Sequence, residues 1–237
     1  MKKQIPNAIT CGNLICGCLG IQQALLGNLE WAAYFIWIAA LFDFFDGFAA
    51  RLLKVSSPIG KELDSLADVV SFGVLPGFII FQLMGIRTVG LLEINAVNWL
   101  SYAAFLIPAF SAYRLAKFNL DTRQSDQFIG LPTPANGILI SSFPLILMHD
   151  TFHIAPILTN TYFLSFFSLF ISYILVSEIR LIALKFKNYS FESNKFRYIF
   201  LGSAAILFVT MYFTAIPLII LLYILLSVIE NNTGTED

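Results

Sequence analysis

The sequence predicts an all-α integral membrane protein with about eight transmembrane helices, and three observations carry that prediction. Of the 237 residues, 58% are hydrophobic and only 12% charged, a balance foreign to a soluble domain of this length. Eight apolar runs long enough, or nearly so, to cross a bilayer follow one another at about 8–27, 31–54, 62–85, 97–118, 133–149, 157–183, 197–212 and 214–230. With the amino terminus placed in the cytoplasm, the inner segments collect Lys2, Lys3, Arg51, Lys54, Lys61, Arg114, Lys117, Arg123, Arg180, Lys185, Lys187, Lys195 and Arg197, and the outer segments Arg87 alone, a positive-inside bias that supports both the helix count and the orientation.

Taken in order, the first run follows Lys2 and Lys3 as a secretory signal would, but Asn7, Gly12 and Asn13 interrupt it and no small-residue cleavage site follows, so a retained helix is expected. Pro6, Asn7, Thr10 and Asn13 recur on one face of it. Cys11, Cys16 and Cys18 match no metal or disulfide spacing and read as small packing residues. The second and third runs fold about the turn Ser56–Pro58. The fourth ends in Tyr113-Arg-Leu-Ala-Lys-Phe-Asn119, and a loop from Phe128 to Ala135 leads into the fifth. The sixth is followed by Arg180, Lys185 and Lys187 at the inner interface, and the short last pair joins near Phe213 to Pro217. Pro108, Pro144 and Pro217 mark kinks or helix ends. His149 and His153 fall in an outer loop, a membrane thickness from the acidic residues described next. No repeat or soluble domain interrupts the chain, which reads as one membrane domain over 1–237 with a short cytoplasmic tail, 231–237. A net charge of −1 and the lack of a basic run outside the membrane flanks leave no signal for nucleic acid.

The stretch from Asp43 to Asp68 carries the chemistry. On a helix Asp43, Asp46, Gly47 and Ala50 share one face, and Asp64 and Asp68, one turn apart, share a face of the next. If the two helices pack as an antiparallel hairpin, Asp43 lies beside Asp68, Gly47 beside Asp64 and Arg51 beside Gly60. Among the positions so placed, four carboxylates meet one cation, Arg51, a balance too costly at membrane depth without bound cations. An all-oxygen ligand set selects a hard divalent ion, Mg2+ or Mn2+, over zinc or copper, and two ions leave charge to spare for a phosphate-bearing substrate. The competing readings are acids that cap helix ends and a cation pathway, although a transporter is expected to show inverted repeats and acids near the midplane.

Written out, Asp43, Asp46, Gly47, Ala50, Arg51, Gly60, Asp64 and Asp68 at these spacings resemble the signature of the CDP-alcohol phosphotransferases, integral membrane enzymes of phospholipid synthesis, with every signature position filled. The segment DSLADVVSFGVLPG from Asp64, RLAKFN from Arg114 and GLPTPA from Gly130 are similar to blocks of the phosphatidylserine synthase branch. The resemblance implies a six-helix core, extended here by two C-terminal helices. It also implies a homodimer, and a reaction in which CDP-diacylglycerol and L-serine give phosphatidylserine and CMP.

On this reading Asp43, Asp46, Asp64 and Asp68 hold the metal ions, and Asp68 is also the general base. Asn13, Asp46, Gly47, Ala50, Arg51 and Gly60 serve the CDP portion. Arg114 clamps the acceptor carboxylate in two-point geometry, with Lys117, Asn119 and Thr133 beside it. Glycerol 3-phosphate and an inositol phosphate are the alternative acceptors within the family, and an ether-linked donor is an alternative lipid.

Overall fold

The computed structural model describes residues 2, 4–85, 99–121, 128–150, 152–182, 190 and 194–233. Lys3, Arg87, Arg123, Lys185 and Lys187 from the charge partition lie outside them. The elements in order are α1 (Gln4–Leu25), α2 (Leu29–Leu52), α3 (Pro58–Asp68), a π-helical segment (Val69–Val74), α4 (Leu75–Gly85), a 3-10 turn (Trp99–Phe105) running into α5 (Leu106–Leu120), β1 (Phe128–Ile129), α6 (Thr133–His149), the single turn α7 (Ala155–Leu158), α8 (Thr161–Val176), β2 (Arg180–Leu181), α9 (Lys195–Met211) and α10 (Ala215–Thr233). Each of the eight apolar runs is thus represented by a helix.

Four stretches, Gln4–Leu25, Leu29–Leu52, Pro58–Gly85 and Lys195–Thr233, are long and apolar enough to cross a membrane, and the chain is a membrane protein. The last is two helices. Tyr212 takes φ 49° at the joint, and Phe200 of α9 meets Tyr223 of α10 at a ring separation of 5.3 Å, so the pair doubles back on itself.

The arm from Pro58 to Gly85 is the hub. Its most apolar window is 61% buried, against 22–33% for the other three spans. Phe72, Leu75, Ile79, Ile80 and Leu83 of this arm are fully buried, in one core with Ile36, Ile107, Ile140 and Leu164. Small residues let α1 approach it. A Cβ on Gly17 would lie 2.6 Å from Ser71 Oγ, and one on Gly20 2.4 Å from Leu75 Cδ2. On its other side α1 meets α2, where Gly12 leaves room for the Phe42 ring at 2.8 Å.

Two expectations need correction. The second and third helices do not pack face to face as a hairpin: α1 packs against both, and α2 and α3 scarcely touch. Gly12 toward Phe42 of α2 and Gly17 toward Ser71 let α1 approach both sides closely. The sixth run is not one helix over 157–183. Asn160 caps a new helix by accepting from the Tyr162 and Phe163 amides, and beyond Val176 the backbone is extended at Ser177 (φ −62°, ψ 151°). There β2 pairs antiparallel with β1, Phe128 opposite Leu181 and Ile129 opposite Arg180.

Candidate active site

The acids converge across the opening between α2 and α3. Asp43, Asp64 and Asp68 each present a carboxylate oxygen, and the three oxygens lie within 4.8 Å of one another. The α1 wedge supplies their partners. The Thr10 hydroxyl donates to Asp46 Oδ2 at 2.7 Å, and Asn13 Nδ2 donates to Asp68 Oδ1 at 3.1 Å. Asp46 is therefore turned toward α1, beside the three-carboxylate group. Asp46, Asp68, Thr10 and Asn13 are all buried, whereas Asp43 and Asp64 are half-buried.

Asp68 is the last residue of α3, and the π-helical segment begins at the next residue. A π turn takes more residues than an α turn, and such insertions recur at functional sites because they re-aim the side chains around them. Here Ser71, Phe72 and Gly73 are buried in succession. The Ser71 hydroxyl donates to the Asn13 carbonyl at 3.1 Å, tying α1 to this turn. Asn13 thus holds Asp68 with its side chain while the π turn holds Asn13.

This group fits a hard cation. Its donors are all carboxylate oxygens, and Asp64 Oδ1 is buried without a hydrogen-bond partner among the described residues. On the α1 and α2 side a cavity of about 280 Å³ opens next to the acids, bounded by Asn7, Thr10, Asp46, Gly47, Ala50, Ser57, Gly60, Lys61 and Asp64. Ser57 caps α3 by accepting from the Gly60 amide at 3.0 Å, and a Cβ on Gly60 would sit 2.9 Å from that hydroxyl and 3.0 Å from Asn7 Oδ1. Of the residues assigned to the CDP portion, Asp46, Gly47, Ala50 and Gly60 line this cavity. Asn13 lies deeper, on Asp68. Arg51 is exposed, with its guanidinium folded back toward Gly47.

A second polar pocket lies between α5 and α6. Arg114 is only 6% exposed, donates from Nη1 to Thr133 Oγ1 at 3.0 Å, and stands with its guanidinium carbon 5.6 Å from the centre of the Phe118 ring. Among the described residues its Nε has no partner. Asn136, three residues after Thr133 on the same face of α6, is 0% exposed, and neither its Oδ1 nor its Nδ2 has a partner among the described residues. Ser111, one turn before Arg114, is likewise buried with a hydroxyl unpartnered among the described residues, and a Cβ on Gly73 would lie 3.0 Å from Ser111 Cβ. This pocket therefore abuts the π turn that follows Asp68. Buried polar atoms left unpaired in this number cost several kcal/mol unless a polar ligand meets them.

Lys117 and Asn119 have partners of their own. Lys117 pairs with Glu178, Asn119 Nδ2 donates to Ser65 Oγ at 2.9 Å, and Lys61 Nζ donates to the Asn119 carbonyl at 2.9 Å. His149 stacks on Phe213 at the far end of α6, roughly 24 Å from Thr133 by helical rise. The three cysteines are free. Sequence reasoning missed Asn136, Ser111 and Ser71 as site residues, and placed Thr10 on a polar face without assigning it to the site. A signal existed for Asn136, an amide in an apolar run one turn from Thr133. None existed for the π turn.

A family model described as CDP-alcohol phosphatidyltransferase matches residues 3–176. The chain is 36% identical to the CDP-diacylglycerol–serine O-phosphatidyltransferase of Bacillus subtilis (strain 168), over 74% of this chain and 88% of that protein. It is 34% identical to the protein of the same name from Helicobacter pylori (strain ATCC 700392 / 26695), over 74% and 70% of the respective lengths. An archaetidylserine synthase of Methanothermobacter thermautotrophicus is 33% identical over 60% of this chain and 58% of its own.

Proposed function

This chain belongs to the CDP-alcohol phosphatidyltransferase family, and on that premise we propose that it transfers the phosphatidyl group of CDP-diacylglycerol to the hydroxyl of L-serine, giving phosphatidylserine and CMP. The observation that carries the proposal is the position of Asp68, which belongs to the three-carboxylate group and leads into the π turn whose Gly73 packs on Ser111, one turn before the buried Arg114. The three relatives described above, whose names all contain serine, favour that acceptor.

In the proposed reaction the cavity beside Gly47, Ala50 and Gly60 takes the cytidine end of the donor, with Asn13, Asp46 and Arg51 around it. Asp43, Asp46, Asp64 and Asp68 would hold Mg2+ or Mn2+, two ions by charge balance, which when bound shield the diphosphate and stabilise the departing CMP. Arg114 and Asn136 bind the serine carboxylate and ammonium, with Thr133 holding the guanidinium and Lys117 and Asn119 at the rim. Asp68 accepts the proton of the serine hydroxyl as that oxygen bonds to the phosphatidyl phosphorus and the bond from phosphorus to CMP breaks. Asn13, bonded to Oδ1 of Asp68, fixes the direction of that carboxylate.

Arg51, Lys54, Lys61 and Lys117 stand at the ends of α2, α3 and α5 nearest the acids, which supports an active site and both termini facing the cytoplasm. The homodimer implied by the family resemblance belongs to the same proposal. The test is CMP release from CDP-diacylglycerol by purified protein with Mn2+ or Mg2+, comparing serine, glycerol 3-phosphate and inositol phosphate, alongside Asp68→Asn. Turnover with serine alone, lost in Asp68→Asn, is the expected result. Turnover with another acceptor in place of serine overturns the assignment.

A further inference from the structure

Helix α10 lies outside the segment matched by the family model, which ends at residue 176, yet it grips backbone that leads directly into the Arg114 pocket. Tyr223, Ser227 and Asn231 recur every four residues on one face of a helix that is apolar but for these and Glu230, Asn232 and Thr233 at its end. Tyr223 Oη donates to the Ile182 carbonyl at 2.8 Å, Ser227 Oγ accepts from the Ile182 amide at 3.0 Å, and Asn231 Nδ2 donates to the Arg180 carbonyl at 2.6 Å. One face of α10 therefore holds the β2 strand and the residue after it.

The hold is passed on through backbone. β2 pairs with β1, and just past β1 the Gly130 amide donates to the Ile179 carbonyl at 2.9 Å and the Leu131 amide to the Ile174 carbonyl at 3.2 Å. Gly130 has φ +73°, and a Cβ there would lie 2.4 Å from the Leu175 carbonyl oxygen, so the turn is seated without slack. Two residues after Leu131, Thr133 accepts from Arg114, and Asn136 follows one turn later. Tyr223 and Ser227 are buried, where such bonds are strong and costly to break.

We propose that Tyr223, Ser227 and Asn231 are positioning residues for the acceptor pocket. By holding β2 they hold β1 and the Gly130–Leu131 turn, and so set Thr133 and Asn136 against Arg114. The functional consequence rests on the acceptor reading of that pocket; the mechanical link does not.

The experiment uses the full chain in lipid nanodiscs, with Tyr223→Phe, Ser227→Ala and Asn231→Ala singly and combined, and Ser227→Thr, which keeps the hydroxyl. Amide hydrogen exchange over residues 128–133 is read together with KM for serine and for CDP-diacylglycerol. The expected result is faster exchange over 128–133 and a serine KM raised roughly tenfold in the triple variant, the scale of one or two net hydrogen bonds. KM for CDP-diacylglycerol stays unchanged and Ser227→Thr behaves as wild type. A folded triple variant with wild-type exchange over 128–133 overturns the link, as does an equal rise in both KM values. Should the triple variant not fold, the Tyr223→Phe and Asn231→Ala single variants decide by the same criteria. If wild type releases no CMP in response to serine, the acceptor reading fails alone, because exchange still reports on the strap.

Discussion

Replacing Arg114 with lysine separates the shape of the buried cation from its charge. The guanidinium is anchored by Nη1 on Thr133 at 3.0 Å, and its Nε, buried and without a partner among the described residues, is free with the remaining N–H donors to meet a carboxylate. Lysine keeps the positive charge near Asp68 but offers one compact ammonium in place of a planar fork, so one of two bonds to the serine carboxylate is lost. A hydrogen bond to a charged group is worth about 1.5–3 kcal/mol, which corresponds to a serine KM roughly 10- to 150-fold higher in Arg114→Lys. The assay is CMP release at saturating CDP-diacylglycerol with serine varied, repeated with ethanolamine, which keeps the amine and hydroxyl of serine but lacks its carboxylate. Wild type is expected to discriminate strongly against ethanolamine, and Arg114→Lys to lose most of that discrimination. An unchanged serine KM with a raised KM for CDP-diacylglycerol refutes the reasoning and assigns Arg114 to the donor phosphates.

Three further outcomes follow from the same geometry. Thr10→Val preserves shape but removes the 2.7 Å bond to Asp46, so KM for CDP-diacylglycerol is expected to rise by about tenfold or more, with serine KM little affected. Gly17→Val drives a side chain into Ser71, where even a Cβ would be 2.6 Å from the hydroxyl; thermal denaturation should show a loss of about 1–3 kcal/mol. Gly202→Ala in α9, where nothing lies within 4 Å, is the matching control and should be neutral or slightly stabilising. Chelation of divalent ions should abolish CMP release, and added Mg2+ or Mn2+ should restore it, because the clustered carboxylates need bound cations to offset their charge.

The sequence by itself determined the features that depend on spacing along one helix or on composition over one span. The eight apolar runs are of this kind, and so is the sharing of a face by Asp43 with Asp46 and by Asp64 with Asp68, because helical periodicity is a local property. Arg114 and Thr133, which the structure joins by a hydrogen bond, are grouped by the family resemblance of the RLAKFN and GLPTPA blocks and not by spacing or composition. Tertiary structure alone decided how these parts meet. Direct packing of α2 on α3 failed, although Asp43 still meets Asp68, because α1 packs against both through close approaches at Gly12 and Gly17, a matter of backbone approach between segments dozens of residues apart. The π turn after Asp68 depends on packing against Asn13, Ser111 and Gly137, and no residue within Val69–Val74 announces it. The extended break after Val176 exists because β1, the Gly130 turn and the polar face of α10 supply partners for its backbone, the last from 41 residues away. Buried peptide groups left unpaired are costly, so this strand forms only where the folded neighbours complete its hydrogen bonds.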